Sequence, residues 1–158
     1  MVDDLKIFFY DTKIGRVGIV DTNNYITNLF FDSVEYLDTY EIEETKLIKQ
    51  AYNQLNQYLN GNRKSFTIPL KPDGTPFRKM VWKSLEKIPY GETRSYKEIS
   101  LDINNKNACR AVGQANNKNP IPIFIPCHRV IGNNGKLVGY GGGLDLKIFL
   151  LELEKKHI

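Results

Sequence analysis

Apolar and polar residues alternate along the first part of the chain. They then take up a helical period, and later break into short helical runs between turns rich in proline and glycine. Leu5-Lys6-Ile7-Phe8-Phe9-Tyr10 predicts a strand, although two adjacent phenylalanines blur its alternation. Val17–Val20 and Tyr25–Phe31 predict two more. Gly15 and Asp21-Thr22-Asn23-Asn24 supply turn chemistry, so the three strands read as an antiparallel meander. Residues 41–59 predict a helix with Ile42, Ile48, Ala51, Tyr52, Leu55, Tyr58 and Leu59 on one face, stopped by Asn60-Gly61. Phe66, Ile68 and Leu70 alternate again as a short strand.

Lys71-Pro72-Asp73-Gly74-Thr75-Pro76 marks a domain boundary, with an α/β domain over residues 1–73 and a second domain over 74–158. Thr75 suits an N-cap and Pro76 the first helical position of a helix reaching about Lys87. Its apolar stripe is Phe77, Val81, Trp82 and Leu85, which makes Trp82 a core residue. A short helix is expected over Tyr96–Leu101 with Ser95 at its start. Asn104-Asn105 is expected to cap another over Lys106–Asn117, giving a helix-turn-helix. Gly113 inside that second helix costs ~1 kcal/mol against alanine. Either close packing on the core or close approach to a nucleic-acid groove accounts for it. The last helix starts near Leu144, with Leu146, Phe149, Leu150 and Leu153 as its stripe and Glu154 on a flank. The second domain is therefore mostly α.

Between the last two helices lies the chemistry. Ile125-Pro126-Cys127-His128-Arg129-Val130-Ile131-Gly132 puts a thiol, an imidazole and a guanidinium on consecutive residues. Pro120, Pro122 and Pro126 stiffen the approach and keep it out of helix. The thiolate is the nucleophilic form of cysteine, and a base or cation nearby promotes it. His128 offers either and Arg129 offers a cation. A buried structural cysteine beside a surface His-Arg pair is the alternative. Gly139-Tyr140-Gly141-Gly142-Gly143 lacks the strand–turn–helix context of a dinucleotide fingerprint. It is a loop that bends around a ligand or one that is simply flexible.

Composition narrows the classes. With 41% hydrophobic and 25% charged residues the chain is an ordinary globular one. No apolar run reaches the ~20 residues that span a bilayer, and the acidic start Met1-Val2-Asp3-Asp4 lacks the basic beginning of a signal peptide. Two cysteines, Cys109 and Cys127, exclude a disulfide framework, and with only His128 and His157 no metal cluster is expected. A soluble protein of a reducing intracellular compartment is expected, in the cytoplasm or, in a eukaryote, the nucleus. Residues 1–73 hold 8 Lys+Arg against 11 Asp+Glu, a net of −3. Residues 74–158 hold 14 against 7, a net of +7, which fits a polyanionic partner for the second domain as well as a plain basic surface.

Taken together, three stretches resemble the O6-alkylguanine-DNA alkyltransferases. They are Phe77-Arg78 through Tyr96, Arg110-Ala111-Val112-Gly113-Gln114-Ala115, and Asn119-Pro120 through Val130. The resemblance implies a ribonuclease H-like first domain and a winged helix-turn-helix in the second. It implies single-turnover transfer of an alkyl group from guanine O6, with O4-alkylthymine a second candidate substrate, to a cysteine of the protein itself. Cys127 is then the acceptor, His128 removes its proton through a water, Glu154 orients His128, and Tyr96 assists the departing base. Arg110 would fill the gap left by a flipped nucleotide, with Ala111, Gly113 and Ala115 beside it in the minor groove of double-stranded DNA. Asn119 would be the hinge. Val130, Tyr140 and Gly141 would line the base pocket, with the carbonyls of Cys127 and Val130 taking the base's exocyclic amine. A monomer without cofactor or membrane is implied; some members of the family carry a zinc site, but the first domain here offers no cysteine-histidine cluster for one, so no metal is expected. Two rivals are a lesion binder that lacks the reactive cysteine and a Cys-His hydrolase that turns over. The presence of Cys127 opposes the first, and its direct adjacency to His128 is awkward for the second.

Overall fold

The computed structural model describes residues 4–31 and 38–158, so Met1–Asp3 of the acidic start lie outside it. The chain divides into two compact units, residues 1–73 and 74–158.

In the first unit, β1 (Leu5–Thr12), β2 (Gly15–Thr22) and β3 (Tyr25–Phe31) form the expected meander, each pair antiparallel. A two-residue strand, β4 (Glu41–Ile42), extends the sheet to the order β3-β2-β1-β4 by pairing parallel to β1. That pairing corrects the helix boundary. Glu41–Ile42 are extended, Ile42 is 57% exposed, and α1 runs only over Lys46–Leu59. Thr45 is its N-cap, with Oγ1 accepting from Ile48 N at 3.1 Å. One face of α1 buries Ile48, Ala51, Leu55, Tyr58 and Leu59 together with Gln54, and the sheet buries Ile7, Val17, Ile19 and Val20. Phe66–Leu70 is not a strand. Leu70 makes a single parallel bridge to Ile26, and the rest of the stretch is irregular, although Ile68 is buried.

In the second unit, α2 (Pro76–Leu85) starts as expected, with Thr75 Oγ1 accepting from Arg78 N at 3.2 Å. Trp82 is 1% exposed, and its indole N–H donates to Ala115 O at 2.8 Å. A short strand β5 (Arg94–Ser95) leads into α3 (Tyr96–Asp102), which opens with a capping box between Ser95 and Glu98. The helix α4 covers Cys109–Asn117, three residues later than the sequence suggested. Asn104 and Asn105 end α3 instead of starting α4. Asn104 takes a left-handed φ of 59°, and Asn105 N donates to Ser100 O at 2.8 Å. Ala108 caps α4 with no side-chain hydrogen bond.

The segment 121–130 is buried throughout. After Pro122, Ile123 takes a φ of 74°, a strained value for a β-branched residue, in a turn closed by Ile125 N onto Ile121 O at 2.9 Å. The approach is irregular as expected, but Cys127–Arg129 themselves form one 3₁₀ turn. β6 (Val130–Ile131) follows and pairs parallel with β5, Arg94 opposite Val130. α5 (Leu144–Lys156) turns a different face inward from the one expected. Lys147, Leu150 and Glu154 are buried, while Phe149 is 39% exposed.

Candidate active site

The 3₁₀ turn and α5 build the site between them. Glu154, two turns beyond Lys147 on α5, is 1% exposed, and His128 is fully buried. Their contact, Nε2 to Oε2, is 2.6 Å. Arg129 grips the same carboxylate with two nitrogens, Nε to Oε1 at 2.8 Å and Nη2 to Oε2 at 3.0 Å, and its Nη1 donates to Ile88 O at 2.7 Å. Gly91 N donates to Glu154 Oε1 at 3.0 Å. Burial by itself would raise the Glu154 carboxyl. The hydrogen bonds and charges of His128 and Arg129 outweigh it and hold the group down to about 2.

Burial pushes His128 the other way, below its usual pKa, and the cations Arg129 and Lys147 add to that against the pull of Glu154. We read the pair as a neutral imidazole whose hydrogen bond, together with the hydrogen bonds and charge of Arg129, keeps the carboxylate ionised. An ionised carboxylate only accepts hydrogen bonds, so the ring proton sits on Nε2. Nδ1 is then the basic nitrogen. The network therefore fixes both ring orientation and tautomer.

Cys127 is 4% exposed. Burial pushes its thiol up to about 11, while the Asn119 side-chain hydrogen bond and the Lys147 charge pull against it. At pH 7 the thiol is therefore overwhelmingly protonated. Arg129 is turned to Glu154 and Ile88, and the cation whose charge acts on the Cys127 thiol is Lys147. Of the cations the sequence offered, Arg129 is thus committed to Glu154. Lys147 Nζ is buried with carbonyls as its partners, Val130 O at 2.6 Å and Val138 O at 3.0 Å. The sequence reading missed Lys147. The signal was the 3-and-4 spacing of positions 147, 150 and 154, which a hydrophobic count passes over because two of the three are charged.

The other expected residues are placed as follows. Tyr96 follows β5, whose pairing with β6 sets it beside the turn. It is half-buried, its hydroxyl lies 3.4 Å from Val138 O, and burial, then the Cys127 charge, raises its pKa. Asn119 is latched at both ends, Nδ2 to Ile125 O at 2.9 Å and Oδ1 from Ile121 N at 3.0 Å. Val130 is buried and offers its carbonyl to Lys147. Tyr140 is half-buried in a turn closed by Gly143 N onto its carbonyl at 2.9 Å, and Gly141 is exposed with open space around it.

On α4, Arg110 and Ala111 are exposed. A Cβ on Gly113 would meet only the Tyr96 ring, at 3.8 Å, an ordinary contact, so tight core packing does not demand the glycine. Ala115 departs from the expected DNA-facing set. It is 1% exposed and faces inward, five residues along from Arg110, with its carbonyl tied to Trp82.

Comparison with known proteins matches this architecture along nearly its whole length. Residues 5–72 match the 6-O-methylguanine DNA methyltransferase ribonuclease-like domain, and residues 76–156 match the DNA binding domain of the same family. The chain belongs to the 6-O-methylguanine DNA methyltransferase family. It is 56% identical over 117 residues to a methylated-DNA–protein-cysteine methyltransferase of Methanosarcina barkeri, 74% of each chain being covered. It is 44% identical over 152 residues to the constitutive methylated-DNA–protein-cysteine methyltransferase of Bacillus subtilis, covering 92% of each. Among solved structures it is similar to the Mycobacterium tuberculosis O6-methylguanine methyltransferase, with a TM-score of 0.90 and 43% identity, covering 98% of this chain and 94% of that one. A Mycobacterium tuberculosis protein solved in complex with DNA matches at the same TM-score and identity, over 96% and 94%. The two-domain methyltransferase fold is thus that of this chain, its first unit the ribonuclease-like domain and its second the helical DNA-binding domain.

Proposed function

We propose that this chain repairs DNA by moving one alkyl group from guanine O6 in double-stranded DNA onto the sulfur of Cys127. The supporting observation is the buried series Arg129–Glu154–His128 beside a buried thiol. A thiol held near 11 needs a base at the moment of reaction, and the network supplies a neutral imidazole with Nδ1 as its acceptor.

In this reading the Cys127 proton passes through a water to His128. The sulfur attacks the alkyl carbon, an S–C bond forms, the C–O6 bond breaks, and the electron pair stays with guanine. Tyr96 donates to the ring as that charge develops. The product is a thioether, which has no easy hydrolytic exit, so each molecule reacts once. Lys147 stabilises the thiolate that forms transiently.

The reacting carbon is out of line for attack inside a paired duplex, so the nucleotide must leave the stack. Arg110, exposed on α4, would occupy the gap from the minor groove, with Ala111 and Gly113 presenting little bulk beside it. The base would sit near Val130, Tyr140 and Gly141, its exocyclic amine reading the carbonyls of Cys127 and Val130. The protein acts as a monomer in this scheme.

Intact mass spectrometry after incubation with an O6-methylguanine duplex tests the reading. One added methyl is expected per protein, located on Cys127 and not on Cys109. Full uptake by Cys127→Ala would sink it. Arg110→Ala should lose more on duplex DNA than on free O6-benzylguanine, which needs no flipping.

A further inference from the structure

Two asparagines of the second unit hold the active-site segment in different ways. Asn119 is bonded at both ends of its amide, at 2.9 and 3.0 Å. Asn116, in the last turn of α4, is 2% exposed, yet its amide makes one long bond, Nδ2 to the carbonyl oxygen of Cys127 at 3.3 Å. Its Oδ1 is buried and accepts no hydrogen bond from the described residues. A buried amide with one long bond and one open end is held less firmly than the doubly bonded Asn119.

What Asn116 holds gives this looseness its meaning. The Cys127 carbonyl closes the 3₁₀ turn by accepting the N–H of Val130. A carbonyl oxygen has two lone pairs. The turn takes one and Asn116 takes the other. A base amine arriving at this oxygen meets a carbonyl whose acceptor capacity is already used.

We propose that Asn116 is a specificity residue: its amide occupies the lone pair of the Cys127 carbonyl that the alkylated base's exocyclic amine requires, and yields it when the base enters. This rests on the reading above, in which that carbonyl reads the amine. Asn116 keeps the carbonyl satisfied while the pocket is empty. A base bearing the amine replaces the bond that Asn116 gives up, although Nδ2 is then left buried without that acceptor. A base without the amine leaves the bond in place. The parent protein's preference for the amine is therefore smaller than a direct contact would give.

The test compares second-order transfer rates from O6-methylguanine and O6-methylhypoxanthine, which lacks the amine, in otherwise identical duplexes. Asn116→Leu removes the competing donor at similar size, and Asn116→Ala serves if the leucine does not fold. The rate ratio favouring the guanine is expected to rise about three- to tenfold over the parent, the worth of one ordinary hydrogen bond. An unchanged ratio would make Asn116 a packing residue. A lower ratio would mean that it aims the carbonyl for the amine. Either result overturns the proposal.

A measurement that leaves position 116 intact runs alongside. In a Cys127→Ala protein, the Asn116 side-chain amide resonances should shift with the guanine duplex and stay in place with the hypoxanthine one, and equal shifts with both oppose the idea. If the parent takes no methyl from the guanine duplex, the reading of the reaction fails, whereas transfer with an unchanged ratio sinks only the role of Asn116.

Discussion

The helices α1 and α5 are 14 and 13 residues long, and each turns one face inward. The inward face of α1 is Ile48, Ala51, Leu55, Tyr58 and Leu59, with Gln54 as its one polar member. That of α5 is Lys147, Leu150 and Glu154. The first helix lowers the free energy of its unit by removing apolar surface from water. The second desolvates two charges and recovers the cost through Arg129, His128 and backbone carbonyls, an exchange that by itself yields little net stability. Burial serves folding in one helix and chemistry in the other.

The sharpest way to break this comparison is to remove one inward residue from each helix. Leu55→Ala should cost about 2–5 kcal/mol by transfer and cavity terms. Glu154→Ala should cost a comparable 3–5 kcal/mol, because Arg129 is left buried without its carboxylate. Trp82, the single tryptophan, reports unfolding of residues 74–158, and far-UV circular dichroism reports the whole chain. The two variants should part company in transfer assays on folded protein, where Glu154→Ala is slowed and Leu55→Ala is not. Equal slowing by both would dissolve the contrast.

Next in size is His128→Ala, expected to slow transfer by about 10²–10⁴-fold, the usual worth of general-base assistance. Raising the pH should restore part of that rate as hydroxide deprotonates Cys127 directly. A variant matching the parent's rate from about pH 6 to 9 would remove His128 from the mechanism.

Acid should act on the two units with opposite sign at one carboxylate each. Glu154 is held below its ordinary value of 4.5, so its stabilisation is complete above that value and is lost as the pH falls towards about 2. Asp21, 1% exposed beneath the start of α1, is pushed up by burial against the hydrogen bond from Thr45. Its charge destabilises the fold above its raised pKa, and protonation relieves that as the pH falls. Asp21→Asn should therefore stabilise at neutral pH and converge with the parent in acid, whereas Glu154→Gln should destabilise at neutral pH and converge in acid. Thermal melts from pH 7 down to about pH 2 would reveal it. The smallest expected effect is Thr75→Ala, about 0.5–2 kcal/mol for the lost cap of α2, with no change in the rate of transfer.

How far the sequence could be read follows the same division. The meander, the caps Thr75 and Ser95 and the inward Trp82 were legible because alternation and capping are local. Glu41–Ile42 misled because its extended state comes from pairing with Lys6 and Ile7, some 35 positions away. Asn104 and Asn105 misled because asparagine both starts and ends helices, and only the left-handed φ of Asn104 shows which it does here. In the site, Cys127, His128 and Glu154 were legible through resemblance. Lys147 was not, because a lysine on a helix is read as solvent-facing. Whether Arg129 serves the thiol or another group stays open in the sequence, because adjacency does not say which way a 3₁₀ turn sends consecutive side chains; here it grips Glu154.

A reagent that is consumed in use spends its existence waiting. Peroxide and stray electrophiles attack thiolates, and an oxidised sulfur would be spent before any lesion arrived. A sulfur shielded from solvent and kept protonated is poorly visible to them. The same burial that makes Cys127 depend on a base thus gives it shelf life: the thiol is kept protonated and shielded until that base takes its proton.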